Sequence, residues 1–243
     1  MEDDVQTREQ KGEQVSVIVI THSDHEEELR EMLASLPKGI EICIVNTIES
    51  DMDYFQIDDV FEHEGNDYRT GTWYYKNFSF AKARNHSIDL ATNDWCIWMD
   101  SDDYLLPQFK DDLKDLVNLP LGVGGVMMGC FGSQPPYNKG EKTEYYAVPH
   151  LRAFRKSTGA RFNGLVHEQI LPQIENARFF VTTSNIMIAH MGYIASREKM
   201  QARFERNVRL LSAQLATSDY LRDYYAKMLQ NQLFTLNDLK GNL

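Results

Sequence analysis

Residues 15–21 read VSVIVIT, an apolar, β-branched run without polar alternation. Such a run suits a strand buried on both faces, as in a parallel sheet between two layers of helices. Residues 24–36 follow with a helical period whose apolar face is Leu29, Met32, Leu33 and Leu36, and Pro37, Lys38 and Gly39 form the turn that closes it. A second apolar run, IEICIVN, occupies residues 40–46, and residues 59–61 are read as the start of a third strand. Strand, helix and strand in this order predict a βαβ unit and an α/β sheet.

The pattern continues toward the C-terminus. Residues 65–78 form a polar, aromatic-rich stretch expected to be a loop, and residues 79–91 have a helical pattern. The apolar segment WCIWM (residues 95–99) predicts a further strand, which ends in Asp100, Ser101, Asp102 and Asp103. Strands are expected at 125–131 and 147–154, with the Pro- and Gly-containing loop GSQPPYNKGEKTEY between them, and a last strand at 181–190. From Ser196 the period becomes helical, with Met200, Phe204, Val208, Leu211 and Leu215 on one face. A second helix over about 218–236 carries Leu221, Tyr224, Tyr225, Met228 and Leu229. The chain therefore divides into a polar, disordered lead-in (1–14), an α/β domain (15–195) and a helical extension (196–243).

With 243 residues, 42% of them hydrophobic, the chain can bury one substantial core. A net charge of -11, from 36 acidic and 25 basic residues, argues against a protein that grips nucleic acid electrostatically. No apolar run is long enough to span a bilayer, and the first 14 residues resemble neither a signal peptide nor an anchor, so a cytoplasmic protein is expected. Cys43, Cys96 and Cys130 lie in apolar stretches without metal-ligand spacing, which predicts buried free thiols.

The acidic cluster is the sharpest chemical feature. Ligands of open α/β sheets bind beyond the carboxyl ends of strands, where Asp100, Asp102 and Asp103 fall. On an extended chain Asp100 and Asp102 point the same way and together face one hard cation, Mg²⁺ or Mn²⁺. The alternative is an aspartate that caps a helix over residues 105–116.

Residues 15–21 together with 78–103 (FSFAKARNHSIDLATNDWCIWMDSDD) resemble the family 2 glycosyltransferases of GT-A fold. RAFR (152–155), GLVHEQ (164–169) and IAHMGY (188–193) resemble one soluble branch of that family, which includes bacterial and phage-encoded enzymes. The resemblance implies a mostly parallel central sheet flanked by helices. It also implies inverting transfer from a nucleotide-sugar donor, a UDP-sugar first among them, with Mn²⁺ or Mg²⁺ as cofactor. Asp102 is then the direct metal ligand, Asp100 lies on the metal or the donor ribose, and His190 is a further ligand. On the residues alone, His190 can equally be a histidine packed at a strand end.

Glu168 corresponds to the acidic residue that the family places beside the acceptor, and so to the base, with His167 orienting it or touching the donor. Its alternative is a surface glutamate at a helix start. Thr21, His22 and Asn46, at the ends of the first two strands, are candidates for the nucleoside, although family members carry an aspartate near Asn46. Arg84 and Ser101 are assigned to the donor, Lys82 is a candidate of the same kind as Arg84, and Asn85 to holding a loop. Arg197, Lys199 and Arg206 form a candidate lid over the diphosphate, while Arg203 is read as solvated. Trp73, Tyr74 and Tyr75 fit an acceptor platform, a dimer contact or a cover on the core, and the C-terminal helices are a candidate homodimer surface. A peptide side chain, a glycan, a lipid-linked sugar and a modified nucleic-acid base all stay open as acceptor. A metal-dependent nucleotide-sugar hydrolase and a non-catalytic nucleotide- or glycan-binding module are the rival readings.

Overall fold

The computed structural model describes residues 14–22, 25–48, 65–74, 79–134, 144–190 and 197–241. Strands β1 (Val15–Thr21) and β2 (Glu41–Ile48) run parallel and are joined through helix α1 (Glu26–Ser35). α1 buries Leu29, Met32 and Leu33 against Val15, Val17, Val19, Ile42 and Ile44. The opposite face of the same strands, Ile18 and Cys43, packs on Ala81 and Ile88 of helix α2 (Phe80–Leu90). Cover on both faces is the physical reason these strands show no polar alternation.

The aromatic-rich stretch expected as a loop contains a strand, β3 (Asp67–Tyr74), parallel to β2 along its full length. It is the sheet edge, and its burial pattern is mostly exposed or half-buried, so it lacks the apolar run that reveals a central strand. Residues 59–61, read as the start of a strand, lie outside the described residues.

Strand β4 (Trp95–Asp100) lies parallel to β1 on its other side, bringing the ends of β1, β2 and β4 to one edge. Four more strands complete an eight-stranded sheet: β5 (Asp103–Leu105), β6 (Val123–Gln134), β7 (Glu144–Arg155) and β8 (Phe180–His190). Their order is β3-β2-β1-β4-β7-β6-β8-β5. β7 is antiparallel to both β4 and β6, β8 is parallel to β6, and β5 is antiparallel to β8. The last pairing sets Asp103 opposite His190.

The alternative of a capped helix over residues 105–116 is not what forms. A 3₁₀ turn at Pro107–Phe109 leads into a five-residue helix, α3 (Lys110–Lys114), and a second 3₁₀ turn at Asp115–Asn118. Leu106 holds the cap position of the first turn without a side-chain hydrogen bond, so the acidic cluster is not spent on capping. Helix α4 (Leu171–Asn176) precedes β8. Helices α5 (Arg197–Thr217) and α6 (Arg222–Leu239) pack together through Met200, Phe204, Leu236 and Leu239. They dock on the α/β body where Leu211 and Tyr225 meet Val166. The three cysteines are buried and free, and burial pushes the Cys96 thiol up to about 12. Among the described residues no helix is long and apolar enough to cross a membrane.

The N-terminal end of β2 holds a buried carboxylate with a structural role. Glu41, 1% exposed, accepts from Ser16 Oγ, from Thr92 N–H (2.8 Å) and Oγ1 (2.6 Å), and from Arg69 Nε (2.6 Å). Burial works against its charge, but these donors prevail and hold its pKa below 4.5. The resulting stability is present above that value and is lost as pH falls through the lowered folded pKa. Glu41→Gln is expected to lose about 1.5–3 kcal/mol at pH 7, the range for hydrogen bonds to a charged group. In urea titrations the gap to the parent protein narrows as the pH is taken below 4.5. A gap that stays constant with pH would show that the charge contributes nothing.

Candidate active site

A cleft of about 1150 Å³ opens where β1, β2, β4 and β8 end and where residues 162–170 pass over them. The ends of parallel strands leave backbone groups and loops facing outward, so this is where an α/β sheet offers a ligand site. Its wall includes Thr21, His22, Thr47, Arg84, Asp100, Ser101, Asp102, His167, Glu168 and His190.

The acidic cluster is assembled by a turn. β4 stops at Asp100, the chain turns at Ser101 and Asp102, and β5 starts at Asp103, so strand alternation does not align Asp100 with Asp102. Asp103 is turned inward and is 2% exposed. Its Oδ2 accepts from the Asp100 backbone N–H and from Arg152 Nη1, both at 2.7 Å, and its Oδ1 lies 2.8 Å from His190 Nδ1. Arg152 stacks 3.8 Å from the centre of the Trp98 ring, and its Nε donates to Cys130 Sγ at 3.2 Å. Asp103 is therefore a strut that orients the two groups beside it.

Candidate ligand atoms of Asp100, Asp102, Asp103 and His190 all fall within 4.8 Å of one another. Burial raises the Asp102 carboxyl above its usual range and the charge of Asp100 pushes it further. At Asp100 burial also opposes the charge, but Arg84, Arg152 and His190 outweigh it and hold that carboxyl well below the usual range. At His190 burial is outweighed by the bond to Asp103, which raises its pKa. Two adjacent carboxylates, one strained toward protonation, with an imidazole beside them fit a divalent cation. Oxygen donors with one nitrogen match Mn²⁺ well, and Mg²⁺ favours the oxygens alone.

Arg84 links this cluster to the other end of the cleft. It is 5% exposed and lies 4.4 Å from the centre of the Trp98 ring and 5.7 Å from that of Phe162. Its Nη2 donates to Asp100 Oδ1 at 2.6 Å and its Nε to Glu168 Oε1, while Nη1 is buried without a partner. Burial disfavours the guanidinium charge, and Asp100 and Glu168 more than restore it. His167, beside Glu168, has φ 51°, an uncommon conformation for a residue other than glycine. Burial lowers its pKa, and its Nε2 is buried without a partner.

The remaining sequence candidates divide. Thr21, His22 and Ser101 are on the cleft wall, and Asn85 holds Phe162 through both backbone groups (2.8 and 3.0 Å). Asn46 is fully buried and off the wall, because β2 continues two residues further and Thr47 takes the cleft side. Lys82 is exposed and off the wall. Arg206 lines the cleft, 5.2 Å from the centre of the Phe80 ring, and so does Arg203, which was read as solvated. Lys199 is exposed, and Arg197 donates to the Leu239 carbonyl at the end of α6, so neither reaches the cleft. Trp73 packs with Ile20, Val45 and Ala83 as cover on the core, Tyr74 is exposed, and Tyr75 lies outside the described residues, as do Gly192 and Tyr193. Arg152 and Trp98 join the site without a signal in the sequence that assigns them to it. RAFR contains Arg152, but nothing local says which way that arginine points.

A mostly parallel sheet flanked by helices, with a carboxylate cluster and a cleft beyond its strand ends, is the GT-A architecture. Residues 16–187 match the model of glycosyl transferase family 2, and the chain belongs to that family. It is 27% identical over 142 residues to the SPbeta prophage-derived glycosyltransferase SunS of Bacillus subtilis (strain 168). That match covers 58% of this chain but only 32% of the relative, so the chain spans about a third of that protein's length. Among solved structures it is similar to S. aureus TarS in complex with UDP-GlcNAc, with TM-score 0.53 and 14% identity, over 90% of this chain and 71% of that one. It is also similar to the mannosyltransferase PcManGT from Pyrobaculum calidifontis in complex with GDP-Man and Mn²⁺, with TM-score 0.54 and 14% identity, over 94% and 73%.

Proposed function

We propose that this protein is a metal-dependent glycosyltransferase that moves a sugar from a nucleotide-sugar donor, a UDP-sugar first among them, with inversion at the anomeric carbon. The observation that carries this reading is the Arg84 bridge, which ties Asp100 in the candidate cation cluster to Glu168 within one cleft. In-line displacement needs a leaving group on one side of the reacting carbon and a base on the other, held in fixed relation. The nucleotide sugars named with two similar structures support a donor of this class.

Asp102, with Asp100 and His190, would hold Mn²⁺ or Mg²⁺, with Asp103 orienting the His190 ring through Nδ1. A bound divalent cation neutralises the charge that gathers on a departing diphosphate. Glu168 accepts the acceptor's proton as its heteroatom bonds to the anomeric carbon. The bond from that carbon to the diphosphate oxygen breaks, and the diphosphate leaves with the electron pair. Thr21, His22 and Thr47 line the cleft and would take the nucleoside, and Arg203 and Arg206 line it from α5 and would face the diphosphate.

A thermal-shift screen of UDP-, GDP-, dTDP- and CMP-sugars, with and without MnCl₂, tests this reading. One nucleotide class is expected to raise the melting temperature only when the metal is present, with a gain of about 2.7 kcal/mol at a hundred times Kd. No shift with any of the four classes, on folded protein, would sink the proposal.

A further inference from the structure

The segment that carries Glu168, residues 162–170, has little regular structure, yet its backbone is held at many points. Asn163 and Gln169 exchange two backbone hydrogen bonds of 2.9 Å, which close the segment into a narrow loop. From one side Phe80 N–H donates to the Leu165 carbonyl (3.1 Å) and Ser79 Oγ to that of Gly164 (3.2 Å).

From the other side the contacts come from α5 and α6. Gln214 Oε1 accepts from Leu165 N–H at 3.1 Å, and Tyr225 Oη donates to the Asn163 carbonyl at 2.9 Å. Tyr224 Oη accepts from Gln169 Nε2 at 2.8 Å. Gln214 is 6% exposed and Tyr225 fully buried, so each hydrogen-bonding group is enclosed against the loop. The fit is close: Gly164 has φ +119°, and a Cβ there would overlap Tyr225 Oη. Burying a glutamine amide and a tyrosine hydroxyl gains nothing over apolar side chains unless their partners need them. Here the partners are backbone groups three to five residues from Glu168.

We propose that Gln214, Tyr224 and Tyr225 are positioning residues for Glu168, and that the α5–α6 hairpin is thereby a working part of the active site. The inference rests on Glu168 being the base. The hairpin holds the backbone before Glu168 at Asn163 and Leu165 and the Gln169 side chain after it, with His167 at φ 51° between them, so the carboxylate is delivered to one place before substrate arrives. Displacing a reacting group by about 1 Å lowers turnover by up to about a hundredfold, without any change in donor contacts.

The test is the double variant Gln214→Met with Tyr225→Phe, which keeps volume and removes both hydrogen bonds to the loop. Neither residue lines the cleft. The UDP-, GDP-, dTDP- or CMP-sugar that the thermal-shift screen selects is supplied with MnCl₂, and nucleotide release is measured with water as acceptor. The expected result is a fall in kcat of about ten- to a hundredfold, with KM for the donor within about threefold of the parent. Deuterium uptake across residues 162–170 should rise in parallel, and that readout needs no substrate. Leu236→Ala, in the hairpin's other cluster and making none of the hydrogen bonds to the loop, is the control: it lowers the melting temperature and leaves kcat of the folded protein unchanged. A double variant with kcat within about twofold of the parent, or an equal fall in Leu236→Ala, would overturn the proposal. Glu168→Gln measured alongside separates the two failures. If it turns over like the parent, the base assignment is wrong and this inference falls with it; if it is inactive while the double variant is active, only the hairpin's role is refuted.

Discussion

Glu168→Gln is expected to bind the donor as the parent protein does and to transfer sugar about 10²- to 10⁴-fold more slowly, the usual range for loss of a general base. Donor binding survives because the amide oxygen can still accept from Arg84 Nε, so the buried guanidinium keeps a partner. What disappears is the group proposed to take the acceptor's proton. The Glu168 side chain is 10% exposed and one of its oxygens is engaged by Arg84, so bulk water cannot readily replace it. Diphosphate release and a donor-dependent thermal shift, measured on the same preparation, separate the two effects. A variant that binds donor and also turns over at the parent rate would remove Glu168 from the base role.

Asp102→Ala is expected to show an opposed pair of effects. Its turnover should fall more than a hundredfold, because the transition-state stabilisation a cation supplies amounts to several kcal/mol. The shift with donor and MnCl₂ together should collapse to that with donor alone. The protein without metal, however, should be no less stable at pH 7, and slightly more so. The sign follows from the raised pKa: a carboxylate made harder to ionise by burial and by Asp100 penalises the folded state at any pH above its folded pKa. That penalty is absent below the ordinary value of 3.8, so the stability difference between variant and parent should vanish in acid. Stability given up at one residue and recovered on ligand binding is the signature of a binding group. A large loss of stability in the metal-free variant would mark Asp102 as structural instead.

The extension past residue 196 illustrates how function and packing share residues. Its amphipathic period predicts two helices, and two helices form. Arg203 was read as solvated by the same reasoning, because charge on a helix usually faces water. The helix docks with that face toward the cleft, and Arg203 joins its wall.

The βαβ start, the buried character of residues 15–21, 40–46 and 95–99, and the place of the acidic cluster at a strand end are all legible in the amino-acid order alone. Those features come from short-range rules: a strand covered on both faces must be apolar throughout, and a helix must repeat its apolar side every three or four residues. Which of three neighbouring aspartates face the cleft depends on long-range pairing: Asp100 and Asp102 line it. Asp103 is turned inward by pairing of β5 with β8, and its partners Arg152 and His190 lie 49 and 87 residues away in the chain. The edge strand β3 was invisible for the converse reason, since one open side spares a strand the apolar run that central strands need. The union of Arg84 with both Asp100 and Glu168, 16 and 84 residues distant, likewise depends on sheet order and loop path. Local pattern records what each segment must bury; which charged groups meet depends on long-range pairing that no local pattern carries.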